Sequence, residues 1–112
     1  MATITYKVTV ATGTNKYGTG NKYYINGEAN VVLYLQEGNT YIFDTSDSTN
    51  GTHVFAFSTN PNNSPAAPYT TGVTTTGVSG QAGSNTTIVV APVKKTGAPV
   101  LFYYCTAHAG MG

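Results

Sequence analysis

Thr3-Ile4-Thr5-Tyr6-Lys7-Val8-Thr9-Val10 alternates without a break. Ile4, Tyr6, Val8 and Val10 fall on one face, and Thr3, Thr5, Lys7 and Thr9 on the other. That is a strand with one side buried. The signature recurs outward along the chain. The Gly/Asn-rich stretch from Thr12 to Asn21 reads as a turn, Tyr23-Tyr24-Ile25 as a short strand, and Asn26-Gly27 as a tight-turn dipeptide. Val31 to Leu35 is a more continuous apolar run, which predicts a core strand. Glu37-Gly38-Asn39 turns the chain into Tyr41-Ile42-Phe43, and Asp44 to Gly51 is a polar loop. His53 to Ser58 alternates again, with His53, Phe55 and Phe57 on one face. An Asn/Pro-rich loop runs from Thr59 to Tyr69. Val73 to Val78 and Thr86 to Ala91 are further strands, joined through Ser79 to Ser84. Lys94-Lys95-Thr96-Gly97 turns into a last strand, Pro99 to Tyr104.

Apolar residues nowhere recur at helical spacing. About seven or eight short strands separated by polar turns predict an all-β fold, an antiparallel Greek-key β-sandwich or barrel. The 112 residues make one domain. Only 8% of them are charged, against about 25% in ordinary domains. Net charge is +1, and Lys7, Lys16, Lys22, Lys94 and Lys95 are too few and scattered to neutralise phosphates, which argues against a nucleic-acid partner. A 40% hydrophobic fraction is the reverse of the disordered signature. No stretch approaches the roughly 18 apolar residues of a membrane helix. The first residues alternate like a strand, without the basic and apolar regions of a secretory signal, so the chain is expected to stay where it is made, to be a mature or engineered form, or to be exported inside an assembly that needs no signal.

The chemistry gathers near Cys105. One cysteine excludes an intramolecular disulfide. Cys105, His108 and Met111 follow the last strand in a C-x-x-H-x-x-M pattern, and the only other histidine is His53. A thiolate and two imidazoles suit copper in both oxidation states, and a weak axial thioether completes an electron-transfer type of site. Thr106, Ala107, Ala109 and Gly110 are small, so the loop can close on one ion. The plainer alternatives are a buried structural thiol, a hydrogen-bonded core histidine and a loose methionine at the chain end. Tyr103 and Tyr104 read as sheet residues, and Asp44, Asp47, Glu28 and Glu37 as solvated or turn residues. Nucleophile and phosphate-loop motifs are missing, and a Cys–His hydrolytic dyad would need His53 as base and an orienting Asn or Asp; copper ligation is the simpler account, and no enzymatic activity is expected.

With His53 and Cys105-x-x-His108-x-x-Met111, the sequence resembles the cupredoxins, the blue-copper proteins. The short ligand loop is similar to that of amicyanin. The resemblance implies one type 1 copper ion, with His53, Cys105 and His108 as equatorial ligands and Met111 as the axial one. Pro68-Tyr69-Thr70-Thr71-Gly72-Val73-Thr74 together with Phe102-Tyr103-Tyr104-Cys105-Thr106-Ala107-His108-Ala109-Gly110-Met111-Gly112 also resembles a cupredoxin-like module of marine bacteriophage structural proteins. That implies a virion component, a decoration, fibre or tail module, with phage capsid or tail proteins as partners. The alternative is a soluble one-electron carrier whose redox partner docks near His108. A third reading is a fold without copper chemistry, whose thiol takes up Zn or Cu(I).

Two departures from the electron carriers bear on the site. Val54 follows His53 where many carriers have Asn, so bracing of the ligand loop falls to other residues, Thr52 and Thr106 being the candidates. Met111 lies next to the last residue, Gly112, where a chain frays unless packed. A neighbouring copy of the chain in a homo-oligomer is one way to hold it.

Overall fold

The alternation that opens the chain does not stop at Val10. Strand β1 runs Thr3–Asn15, and β2, Gly18–Ile25, returns beside it with Val8 opposite Ile25 and Asn15 opposite Gly18. The expected turn from Thr12 to Asn21 is therefore corrected: most of it is the far end of one long hairpin. Glycine weakens a ladder without forbidding it, and the flanking threonines favour extended backbone. Thr14 and Thr19 also share a hydroxyl hydrogen bond of 2.9 Å across the pair. The computed structural model describes residues 2–15, 18–29, 35–36, 38–60, 63, 66–90, 101–108 and 110–111. The expected Val31 to Leu35 strand falls outside them except for Leu35. The Lys94-Lys95-Thr96-Gly97 turn and the Pro99–Val100 start of the last strand fall outside them too.

The Asn26-Gly27 turn is as read, with positive φ of 51° and 85° at its two central residues, the conformation that matches the twist of hairpin strands. It leads into β3, Glu28–Ala29. Further on come β4 (Thr40–Asp44), β5 (Phe55–Ser58), β6 (Pro68–Tyr69), β7 (Val73–Thr76), β8 (Asn85–Val89) and β9 (Phe102–Cys105). One sheet has the order β3-β2-β1-β4-β8-β7, the other β6-β5-β9. The antiparallel expectation needs one correction. β1 and β4 are parallel, Thr3 facing Thr40 and Lys7 facing Asp44. β2 already occupies one edge of β1, so β4 takes the other, and the intervening chain crosses over to reach it in the same direction. Among the described residues the helical backbone is 3-10 only, at Ser48–Asn50 and at Asn63, and no helix is long and apolar enough to cross a membrane.

The inward residues of the two sheets meet through aromatic rings. Phe43 of β4 stacks on Phe55 of β5 at 5.0 Å between centroids and meets Phe57 edge-on at 5.3 Å. Tyr23 of β2 meets Phe55 edge-on at 5.0 Å and Tyr103 of β9 at 6.2 Å. These arrangements contribute about 0.5–1.5 kcal/mol per pair beyond the area they bury. They make the molecule a β-sandwich with one core, to which Val8, Ile25, Ile88, Leu101, Cys105 and Met111 also belong.

The β7–β8 loop packs over the 3-10 turn that precedes His53. Gly80 has φ +87°, and a Cβ there would lie 2.7 Å from the backbone nitrogen of Gly51. Its own N–H bonds the Thr45 carbonyl at 2.9 Å. The Gly80→Ala variant should lose at least about 1–2 kcal/mol, the cost of a left-handed non-glycine residue plus the contact. Urea unfolding of both proteins measures it.

Candidate metal centre

His53 is presented by a short, heavily hydrogen-bonded corner. The ladder between β1 and β4 ends at Lys7 and Asp44, so the next part of β1 needs other partners. The 3-10 turn supplies them. Thr49 Oγ1 accepts the Val10 N–H at 2.9 Å, and Asn50 Nδ2 donates to the Val8 carbonyl at 2.8 Å. Asp47 caps the turn, its carboxylate accepting from Thr49 N–H at 3.0 Å and Thr49 Oγ1 at 2.6 Å. These bonds hold the Asp47 carboxyl below the usual range. The chain then reverses at Thr52, where φ is +66°, unusual for a β-branched residue. The His53 N–H donates to the Asn50 carbonyl at 2.8 Å.

Cys105 comes from the second sheet. It ends β9 directly opposite Phe55, so it points inward beside a strand that begins two residues after His53. The Thr106 N–H bonds the Val54 carbonyl at 3.1 Å. Val54 and Thr106 thus brace the loop through the backbone; of the two candidates, Thr106 does this, and Thr52 shapes the turn instead. His108 follows after two small residues and is exposed, whereas His53 and Cys105 are buried at 7% and 5% exposure.

The three side chains converge. Cys105 Sγ lies 3.7 Å from His53 Nδ1 and 3.7 Å from His108 Nδ1. The imidazole centroids are 4.7 Å apart, and the three ligand atoms fall within 4.8 Å of one another. With ordinary bond lengths of about 2.3 Å to sulfur and 2.0–2.1 Å to nitrogen, a 3.7 Å separation corresponds to an angle of about 115° at a shared ion, within the trigonal to tetrahedral range. The donor set fits one soft or borderline metal ion. Burial, and then the neighbouring His108, lower the His53 pKa from its ordinary value, which favours the neutral form that a metal needs.

The loop is packed and hydrogen-bonded at Gly110 and Met111. Met111 is 2% exposed within the core cluster that includes Cys105. Its carbonyl accepts the Tyr23 N–H at 2.9 Å, and the buried Lys22 donates from Nζ to the Gly110 carbonyl at 2.6 Å. The chain's own β2 holds this segment, so no second copy is needed for that. Sequence reasoning missed Lys22 and Tyr23, because the spacing within Lys22-Tyr23-Tyr24-Ile25 carries no sign of the far end of the chain. No family model matches the chain, and neither a curated protein nor a solved structure shows significant similarity to it.

Two outcomes test this corner. Asn tolerates the left-handed region that Thr resists, so Thr52→Asn should raise the stability of the metal-free protein by about 1 kcal/mol, read from urea midpoints. Unfolding returns His53 to the ordinary range, so the unfolded chain takes up its proton first. Stability is complete above the ordinary histidine value of about 6.5 and falls as pH drops through it. Acidification across that value should therefore destabilise the metal-free wild type more than His53→Gln, compared by the same unfolding measurement.

Proposed function

We propose that this chain is a cupredoxin-like domain carrying one type 1 copper ion on His53, Cys105 and His108, with Met111 as a weak fourth ligand. The observation that carries it is the convergence of one thiol and two imidazoles from a strand corner and a tight loop. A thiolate with two imidazoles is the equatorial set of electron-transfer copper sites. When bound, copper supplies a one-electron couple there. Cys105 contributes the soft thiolate. Buried His53 fixes the inner side of the site, and exposed His108 forms its outer side.

The setting we propose is a virion structural module of a marine phage, made in the host cytoplasm and joined to capsid or tail proteins. Its support is the likeness of the Tyr103-Tyr104-Cys105-x-x-His108 ending. The exposure of His108 favours a second setting, a soluble electron carrier that docks a redox partner at that imidazole.

One equivalent of Cu(II) added to the metal-free, reduced protein should give an intense thiolate-to-copper charge-transfer band. Cys105→Ala should abolish it. Met111→Ala should shift it while copper still binds; an unshifted band would remove Met111 from the ligand set. No band with an intact fold, or preferential uptake of Zn, would overturn the copper reading. Sedimentation and electron-exchange measurements separate the two settings. Self-association or binding to capsid or tail proteins regardless of copper fits the structural module. A strict monomer that exchanges electrons rapidly with a small redox partner fits the carrier.

A further inference from the structure

Tyr23 is the largest fully buried side chain of the core, at 0% exposure, and its hydroxyl makes no hydrogen bond of ordinary geometry, with the Cys105 thiol as the polar group beside it. Buried hydroxyls are nearly always partnered, and leaving one alone costs about 1–3 kcal/mol. A phenylalanine would fill the same space without that cost. The surroundings of the ring narrow the explanation. Tyr23 meets Phe55 and Tyr103 edge-on. Phe55 is the cross-strand partner of Cys105, and Tyr103 precedes Cys105 by two residues on the same face of β9. The Tyr23 backbone bonds the Met111 carbonyl. Every one of these neighbours belongs to the ligand end of the sandwich. Burial first, and then Cys105 nearby, push the Tyr23 phenol far above its ordinary range. A phenol carries its proton at neutral pH, so the hydroxyl is a donor.

A neutral thiol is a weak acceptor, whereas a thiolate accepts strongly through a charge-assisted bond. Building on the metal site proposed above, we propose that Tyr23 is a positioning residue for it, its hydroxyl donating to Cys105 Sγ when that sulfur is a metal-bound thiolate. Metal uptake forms the metal–sulfur bond, and the thiol proton leaves to solvent. The hydroxyl then gains the partner it otherwise lacks. The bond orients the sulfur and withdraws charge from it, as outer partners of metal ligands do elsewhere.

The test compares wild type with Tyr23→Phe in two states. Without metal, the variant loses no hydrogen bond, so its melting temperature should be unchanged or higher. With metal, the bond is missing. Zn(II) affinity, measured by competition with a chromophoric chelator, should fall by about 10-fold or more. The charge-transfer band with Cu(II) should move to longer wavelength, because the thiolate electrons are less stabilised. Equal Zn(II) affinity and an unmoved band would overturn the role of Tyr23. So would a loss of metal-free stability matching the loss of affinity, which would mark a packing role. A wild-type protein that takes up neither ion would overturn the metal site itself, an outcome read before the variant is compared.

Discussion

The pairing of β5 with β9 is the constraint on which the site depends. Each strand is only four residues long, and their register sets Phe55 opposite Cys105 and Phe57 opposite Tyr103. A slip of one residue would turn Cys105 to the outside and Phe102 inward. The aromatic residues prevent that slip. Phe55, Phe57 and Tyr103 must all face Phe43 and Tyr23 across the core. Burial of rings therefore decides where the sulfur points. A metal ion would only have to use a thiol that hydrophobic packing has already aimed.

His53 is placed by polar means instead. Where β4 ends, Thr49 and Asn50 side chains take over the hydrogen bonds that Val8 and Val10 would otherwise lose. An unsatisfied backbone group at that depth would be costly, so the polar loop from Asp44 to Gly51 is a structural substitute for a strand. The left-handed Thr52 is the strained point in this corner. Strain of this kind persists only where surrounding contacts over-determine it. Here the capped turn on one side and the β5 pairing on the other do so, and the product is a fixed histidine.

The third support is β2, which reaches the end of the chain from the opposite sheet. Lys22 and Tyr23 bond Gly110 and Met111 through 2.6 Å and 2.9 Å contacts. The ligand loop is thus held at its start by Thr106 on Val54 and at its end by β2. His108 lies between these anchors and remains exposed. A loop tied at both ends can present a ligand with little loss of conformational entropy on binding.

Local chemistry made part of this legible from the sequence alone. Strict alternation from Thr3 to Val10 specified a half-buried strand, Asn26-Gly27 specified a two-residue turn, and C-x-x-H after an aromatic strand marked Cys105 and His108. These signals depend on side-chain period and φ preference, which act over a few residues. His53 stood out because its strand alternates and no other histidine was left to pair with the loop. The remainder depended on contacts between distant segments. The parallel neighbour of β1, the true length of the first hairpin, the backbone brace from Val54 and the burial of Met111 by β2 all follow from which edges and faces remain unfilled once the sheets assemble. Residue order names the groups that can bind a metal. Only the packing of two sheets, through rings and buried polar bonds far apart in the chain, decides that three of them share one point.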